Sequence, residues 1–112
     1  MSPFHPLRDG GKEVGELTFE WDANKEKLNI EKHGISFDEA AKSFAGRVLI
    51  AGDDIHSTPQ EARFHALGLT DGERIILIVH CIRGAGDIIR IISARRANQD
   101  EREIYRKATA NG

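Results

Sequence analysis

Residues 87–108, DIIRIISARRANQDEREIYRKA, constrain the fold more than any other part of the chain. Four isoleucines surround Arg90, and such β-branched side chains are typical of a buried strand. A guanidinium keeps its charge, so Arg90 needs an anion, a cleft or solvent beside it. Asn98 and Glu101 follow at the spacing of a capping box, which predicts a helix. The residues that this helix would turn inward are Ile104, Tyr105 and Ala108.

Capping and turn signals divide the rest of the chain. Asp22 and Gly34 predict the ends of a first helix, while a capping box at Ser36 and a glycine at position 46 bound a second. Asp71-Gly72 and the segment 84–86, Gly-Ala-Gly, predict connections between antiparallel strands. The predicted strands are 47–51, 63–70, 73–82 and 87–95, and the closing helix is 99–109. The resulting α+β fold has the order α-α-β-β-β-β-α, with a curved, mainly antiparallel sheet packed against helices.

The length and composition indicate one domain. A chain of 112 residues supports one modest core. Residues 1–17 contain two prolines, three glycines and scattered charges, so we expect a flexible N-terminal extension followed by a single domain at 18–112. No apolar run is long enough for a membrane span or a signal peptide, which predicts a cytoplasmic protein without membrane contact.

The cysteine and histidines predict neither a disulfide nor a metal site. Cys81 is the only cysteine, so no intramolecular disulfide can form and a reducing intracellular environment is the default expectation. We expect Cys81 to be a small buried hydrophobic residue. His56 and His65 lack the spacing of metal ligands with each other or with Cys81. His80 lies in an apolar strand and is expected in the core. We therefore expect no metal and no cofactor.

The net charge of −2 argues against a strongly basic nucleic-acid-binding surface, but its distribution is uneven. The first 24 residues carry a net charge of −3. Basic residues then gather near the C-terminus, where any phosphate site is expected. They are Arg83, Arg90, Arg95, Arg96, Arg102, Arg106 and Lys107.

Three separated blocks resemble the BrnT family of toxins from type II toxin–antitoxin systems. They read FEWDANKEKLNIEKHGISFDEAAKSF, EARFHALGL and ILIVHCIRGAGDIIRIISARRANQDEREIY, in the order in which the family has them. The resemblance implies a RelE-like ribonuclease fold and metal-independent endoribonuclease cleavage of RNA that arrests growth. It also implies a BrnA-like ribbon-helix-helix antitoxin, a heterotetramer with it, and operator DNA bound through that antitoxin. A non-catalytic RelE-like co-repressor that binds the antitoxin is the alternative, and the near-neutral charge favours it.

RNA cleavage without a metal needs a base near the 2′-hydroxyl, an acid near the 5′-oxygen and cations on the phosphate. Arg90 and Arg95 are the expected phosphate donors. They lie on opposite faces of a regular strand, and only a bulge near Ser93 would bring them together. Alternatively, one of these two arginines forms a salt bridge with Glu61, Glu101 or Asp87.

The other candidates come from distant parts of the chain. His33, at a helix C-terminus, suits a general acid, with Lys32 beside it as an electrostatic stabiliser. Glu61 is the candidate base or an orienting group, and it lies on the same face as Arg63 if the strand begins that early. An ion pair with a neighbouring arginine is equally consistent. Tyr105 would reach a phosphate or stack on a base, or else pack in the core. The expected contacts to the RNA backbone are Lys25, Arg83 and Arg96.

Overall fold

The computed structural model describes residues 9–110, which form six strands and three helices. Their order is β-β-α-α-β-β-β-β-α, and the strands make one sheet in the order β1-β2-β6-β5-β4-β3. Strands β2 and β6 pair in parallel, whereas the other neighbours pair antiparallel. The bounds are β1 (Asp9–Val14), β2 (Leu17–Asp22), α1 (Ala23–His33), α2 (Phe37–Ala45), β3 (Leu49–Asp53), β4 (Arg63–Leu69), β5 (Ile75–Arg83), β6 (Ile88–Arg96) and α3 (Gln99–Ala110).

The predicted helix ends are confirmed by their capping contacts. Asp22 accepts hydrogen bonds from the first backbone N–H groups of α1, and Gly34 ends that helix in the left-handed conformation, with φ 69°. Ser36 accepts the N–H of Glu39 at the start of α2. These contacts satisfy N–H groups that have no partner within the helix. Short polar residues therefore fix where each helix begins.

The N-terminal region differs from the sequence-based expectation. Residues 9–14, expected to belong to a flexible extension, form the edge strand β1, and the predicted order lacked both β1 and β2. Backbone pairing with β2 holds the strand, and Lys12 reaches Asp38 on α2 at 2.6 Å. Gly10 allows close pairing, because a Cβ there would lie 1.8 Å from Nε1 of Trp21. The expectation for residues 1–8 lies outside the described residues.

The core lies on both faces of the sheet. Helix α2 covers one face, where apolar residues of β2, β4, β5 and β6 meet Phe37 and Phe44. His80 is buried on this side, edge-on to Phe44, and burial lowers its pKa, as expected for a core histidine. Helix α3 packs Tyr105 on the opposite face. Ile104 is 52% exposed and Ala108 is exposed, so the prediction that both turn inward was wrong.

A β-bulge in β6 changes which side chains share a face. Val79 of β5 pairs with Ser93, but the next residue, His80, pairs with Ile91, so Ile92 is an extra residue in β6. One inserted residue reverses the alternation of side chains beyond it. Arg90 and Arg95 consequently lie on the same face of the sheet. The bulge near Ser93 that the sequence could not reveal is therefore present.

Candidate functional site

Charged side chains gather on the face of the sheet opposite α2. Helix α3 covers this face only around Leu67 and Leu77, and we call the remainder the open face. Across the strands the register aligns Glu20 with Arg90, Arg90 with Cys81, and Cys81 with Arg63. Paired residues in neighbouring strands project to the same side. The open face therefore brings together residues from β2, β4, β5 and β6.

Three arginines and two glutamates form a chain of salt bridges, the open-face network. Arg90 Nη1 lies 3.3 Å from Glu20 Oε1, and Arg83 Nε lies 3.9 Å from the same oxygen. Arg83 Nη2 is 3.9 Å from Glu61, whose carboxylate accepts a hydrogen bond from Arg63 Nε at 3.0 Å. Glu20 is 7% exposed, and both Arg90 and Arg83 lie beside its buried carboxylate. The network holds one more cation than anion.

A buried cysteine and a cavity adjoin the open-face network. Cys81 lies beneath it and is 1% exposed, and burial raises the pKa of its thiol. The thiol is therefore neutral at pH 7 and poorly suited to act as a nucleophile. A cavity of about 340 Å³ adjoins the network and is lined in part by Glu61, Cys81 and Arg83. This volume falls in the range of small-ligand sites, about 300–1,000 Å³.

Arg95 occupies the other end of the open face, beside the start of α3. Its guanidinium donates to both carboxylate oxygens of Glu101 at 2.9 Å, and this hydrogen bonding lowers the pKa of Glu101. The same carboxylate accepts the N–H of Asn98, while the Asn98 side chain accepts the N–H of Glu101. The predicted capping box is thus confirmed. Its Glu101 carboxylate also binds the Arg95 guanidinium, which links Arg95 to the start of α3.

His65 lies between these two groups of charges. Its Nε2 is 2.6 Å from Asp54 Oδ1, and this hydrogen bond lowers the pKa of Asp54. His65 pairs with Val79 on β5, between the Arg63–Cys81 pair and the Leu67–Leu77 pair, and Leu77 in turn pairs with Arg95. An imidazole oriented by a carboxylate is a recurrent arrangement in acid–base catalysis. We call Asp54 and His65 the His65 dyad.

Lys25, Lys32 and His33 line a separate groove. All three belong to α1, and the groove, of about 200 Å³, is completed by Ile92 and Ser93 at the bulge of β6. Within residues 9–110, none of the three shares a hydrogen bond or salt bridge with the open-face network. The groove therefore flanks the strand that carries Arg90 and Arg95, and it is not part of the charged cluster.

Two candidates lie elsewhere. Tyr105 is 4% exposed, and its hydroxyl donates to the carbonyl oxygen of Arg47 at 2.6 Å. These contacts match the core-packing alternative for Tyr105. Its hydroxyl already donates a hydrogen bond inside the protein, so we do not place Tyr105 at the site. Arg96 follows the bulge and lines a cavity at the end of the sheet with Arg102 and Arg106. It is therefore separated from Arg95 although the two are adjacent in sequence.

Sequence reasoning missed three residues of the open face: Glu20, Asp54 and His65. Glu20 reaches the network only through the parallel pairing of β2 with β6, which no local pattern encodes. The sequence pattern was considered for His65 only as a possible metal ligand, not as an acid or base. The alternation of Arg63 and His65 along β4 was the available signal, since residues two apart on a strand share a face.

Two further properties hold for the part of the chain that the structure describes. Within residues 9–110, three or more His, Cys, Asp or Glu side chains nowhere converge in a way that would hold a metal ion. No helix in that range has the length and apolar character needed to cross a membrane.

The chain is similar to a family model and to a solved structure. The family model described as "Ribonuclease toxin, BrnT, of type II toxin-antitoxin system" matches residues 21–101. The crystal structure of the Brucella abortus ribonuclease toxin BrnT is similar, with a TM-score of 0.55 and 28% sequence identity. The match covers 70% of this chain and 94% of that one. No match was found among curated proteins.

Proposed function

Because the chain belongs to the BrnT family of ribonuclease toxins of type II toxin–antitoxin systems, we propose that it cleaves RNA on the open face without a metal ion. The observation that carries the proposal is the convergence of four arginines and the His65 dyad on one exposed surface. A RelE-like relationship and action in the cytoplasm, where the RNA substrate is found, belong to the same proposal.

The arginines would hold the scissile phosphate. Arg90 and Arg95 face the same side because of the bulge, with Arg83 and Arg63 nearby on β5 and β4. Guanidinium groups bind phosphate oxygens in pairs and retain their charge while the transition state gains negative charge. Glu20, Glu61 and Glu101 hold these arginines in place before RNA arrives. Positions fixed in advance reduce the reorganisation that the reaction requires.

Proton transfer would use the His65 dyad together with Glu61. A base removes the proton of the 2′-hydroxyl, whose oxygen attacks phosphorus as the bond to the 5′-oxygen breaks. An acid then protonates the departing 5′-oxygen, leaving a 2′,3′-cyclic phosphate and a 5′-hydroxyl. The Asp54 carboxylate orients the His65 imidazole through the 2.6 Å contact with Nε2, and we assign His65 as the acid. Glu61 serves as the base, and His33 and Lys32 contact the flanking RNA from their groove.

The antitoxin would complete the biological unit. A type II family implies a protein antitoxin, and we propose a BrnA-like partner of ribbon-helix-helix type. Two toxins on a dimeric partner would form a heterotetramer that represses its own operon through operator DNA. We propose that the antitoxin covers the open face and so blocks access of RNA to the arginines.

Cleavage of a defined RNA by the purified chain tests the proposal. The wild type is incubated with excess EDTA beside Arg90→Gln, His65→Gln and Lys27→Gln, with the fold of each checked by circular dichroism. Lys27 is exposed on α1 and serves as the control. We expect cleavage by the wild type and by Lys27→Gln, and a rate lower by about 10²–10³-fold for the two site variants.

Intact RNA with the wild type would instead favour the co-repressor alternative. That function has one structural observation in its favour, since every open-face arginine is already paired with a carboxylate. In that case the chain should still raise the affinity of the antitoxin for operator DNA. Induced expression with normal growth and intact RNA would give the same answer in cells.

A further inference from the structure

A second arginine cluster lies at the end of the sheet where β5 and α3 begin. Arg74, Arg96, Arg102 and Arg106 line one cavity of about 210 Å³, whose only acidic lining residue is Glu73. Arg96 ends β6, and Arg102 and Arg106 are four residues apart on α3, so they occupy one face of that helix. We call this cavity the arginine pocket.

The arginines of the pocket are less neutralised than those of the open face. Arg74 donates to both carboxylate oxygens of Glu39 at 3.0 Å, and Arg102 donates to the carbonyl oxygen of Ala97 at 2.7 Å. Within residues 9–110, Arg96 and Arg106 make no salt bridge, and both are exposed. Two guanidinium groups therefore remain for an external anion.

The size and lining of the pocket indicate what that anion is. Its volume is below the range of about 300 Å³ and more in which small molecules are bound. Water occupies about 30 Å³ per molecule, so the pocket accepts one phosphate group with several waters. Guanidinium groups match the oxygens of a phosphate as well as those of a carboxylate, and the RNA of the proposed function supplies phosphates.

The pocket lies beside the Arg95 end of the open face, although the Arg96 side chain projects from the other face of β6. Arg96 follows Arg95 directly, and Arg95 Nη1 also donates to the carbonyl oxygen of Arg96 at 3.1 Å. We propose that the arginine pocket binds a backbone phosphate of the RNA outside the scissile bond, and so acts as an exosite that sets affinity. This inference rests on the proposed function, since it takes RNA as the ligand of the open face.

Binding and cleavage are measured separately to test it. The binding probe is a 2′-O-methyl oligoribonucleotide of about 12 nucleotides, which lacks the attacking hydroxyl and covers a typical single-stranded site. Arg96→Gln/Arg106→Gln is compared with Lys107→Gln, which removes an exposed charge from the same helix outside the pocket. We expect affinity about tenfold lower or more for the double variant, and a salt dependence shallower by about 0.7 in log–log slope, the value for one phosphate of a single strand.

The cleavage assay separates this inference from the proposed function. The double variant should raise KM and leave kcat unchanged, because the pocket does not touch the scissile phosphate. Affinity and salt slope equal to those of Lys107→Gln would overturn the exosite, whether or not the chain cleaves RNA. Loss of antitoxin binding with RNA binding unchanged would also overturn it, by assigning the pocket to an acidic group of the antitoxin. Arg106→Gln alone repeats the test if the double variant does not fold.

Discussion

Glu101 receives both terminal nitrogens of Arg95 on its two carboxylate oxygens, while one of those oxygens also accepts the N–H of Asn98. One carboxylate thus orients a guanidinium of the open face and closes the first turn of α3. Stability and the proposed phosphate site share this residue, so its protonation affects both.

The pH dependence of stability follows from this pair. Hydrogen bonding to Arg95 lowers the pKa of Glu101 in the folded state, so its contribution is present above the ordinary glutamate pKa of about 4.3 and is lost as the pH falls through the lowered value. Glu101→Gln should flatten the loss of unfolding free energy in acid and cost about 1 kcal/mol near pH 7.

Urea unfolding over a series of pH values measures this effect. Glu103→Gln is the matched control, since that exposed residue of α3 makes no salt bridge within residues 9–110. An acid dependence of Glu101→Gln as steep as that of the wild type would contradict the prediction. Asp38 and Asp54, whose pKa values are also lowered, remain in all the variants.

Asn29 should be essential for stability rather than for RNA contact. It is 7% exposed and donates to the carbonyl oxygens of Ile35 and Ala94, while its own oxygen accepts the N–H of Ala94. Asn29→Ala leaves buried backbone groups without partners and should cost about 2–4 kcal/mol. Asn24→Ala, at an exposed position of the same helix, is the control for thermal unfolding. A Tm unchanged by Asn29→Ala would refute this role.

Replacing Glu73 with glycine should stabilise the folded protein. It lies in the turn between β4 and β5 with φ 62°, a left-handed conformation that costs a side-chain-bearing residue about 1 kcal/mol or more. Glu73→Gly should therefore raise the free energy of unfolding by about 0.5–1 kcal/mol, after the flexibility of glycine in the unfolded chain is counted. Denaturant unfolding beside Glu73→Ala separates the two effects, since alanine keeps the strain; equal midpoints would contradict the argument.

The His65 dyad predicts a graded loss of the rate of RNA cleavage. Asp54→Asn keeps a group of the same size but weakens the hydrogen bond that orients the His65 imidazole. The kcat for RNA cleavage should fall in this variant, and His65→Gln should lower it by about 10²–10⁴-fold. The control is His56→Gln, an exposed histidine. A wild-type kcat in His65→Gln would assign the acid to another group.

Local signals in the sequence predicted the elements from α1 to α3 well. Caps at Asp22, Ser36 and Asn98 bond within a few residues of themselves, so their effect is readable from spacing alone. β1 was missed because glycines and charges dominate it, and its stability comes from pairing with β2 and from Lys12 on Asp38.

The candidate site was predictable only in part. The shared strand face of Glu61 and Arg63 required a strand that begins at Glu61, whereas β4 begins at Arg63. The 3.0 Å hydrogen bond between the two residues matches the ion-pair alternative. Arg90 and Arg95 share a face of the sheet because of the bulge in β6. Glu20 is buried because β2 pairs in parallel with β6. Both result from long-range pairing, which residue types alone do not specify. Tyr105 is buried with its hydroxyl on the Arg47 carbonyl oxygen, which matches the core-packing alternative that the sequence left open.

The pairing of β2 with β6 also sets when the open-face network can form. This contact joins positions 20 and 90, and Glu101 lies further on still. During synthesis the first half of the network must wait for the last strand, because chain segments far apart in sequence pair only when both exist. A nascent or truncated chain ending before β6 therefore lacks Arg90, Arg95 and the sheet neighbour that positions Glu20. Folding order thus withholds the proposed RNA-cleaving face until the last strand has been made.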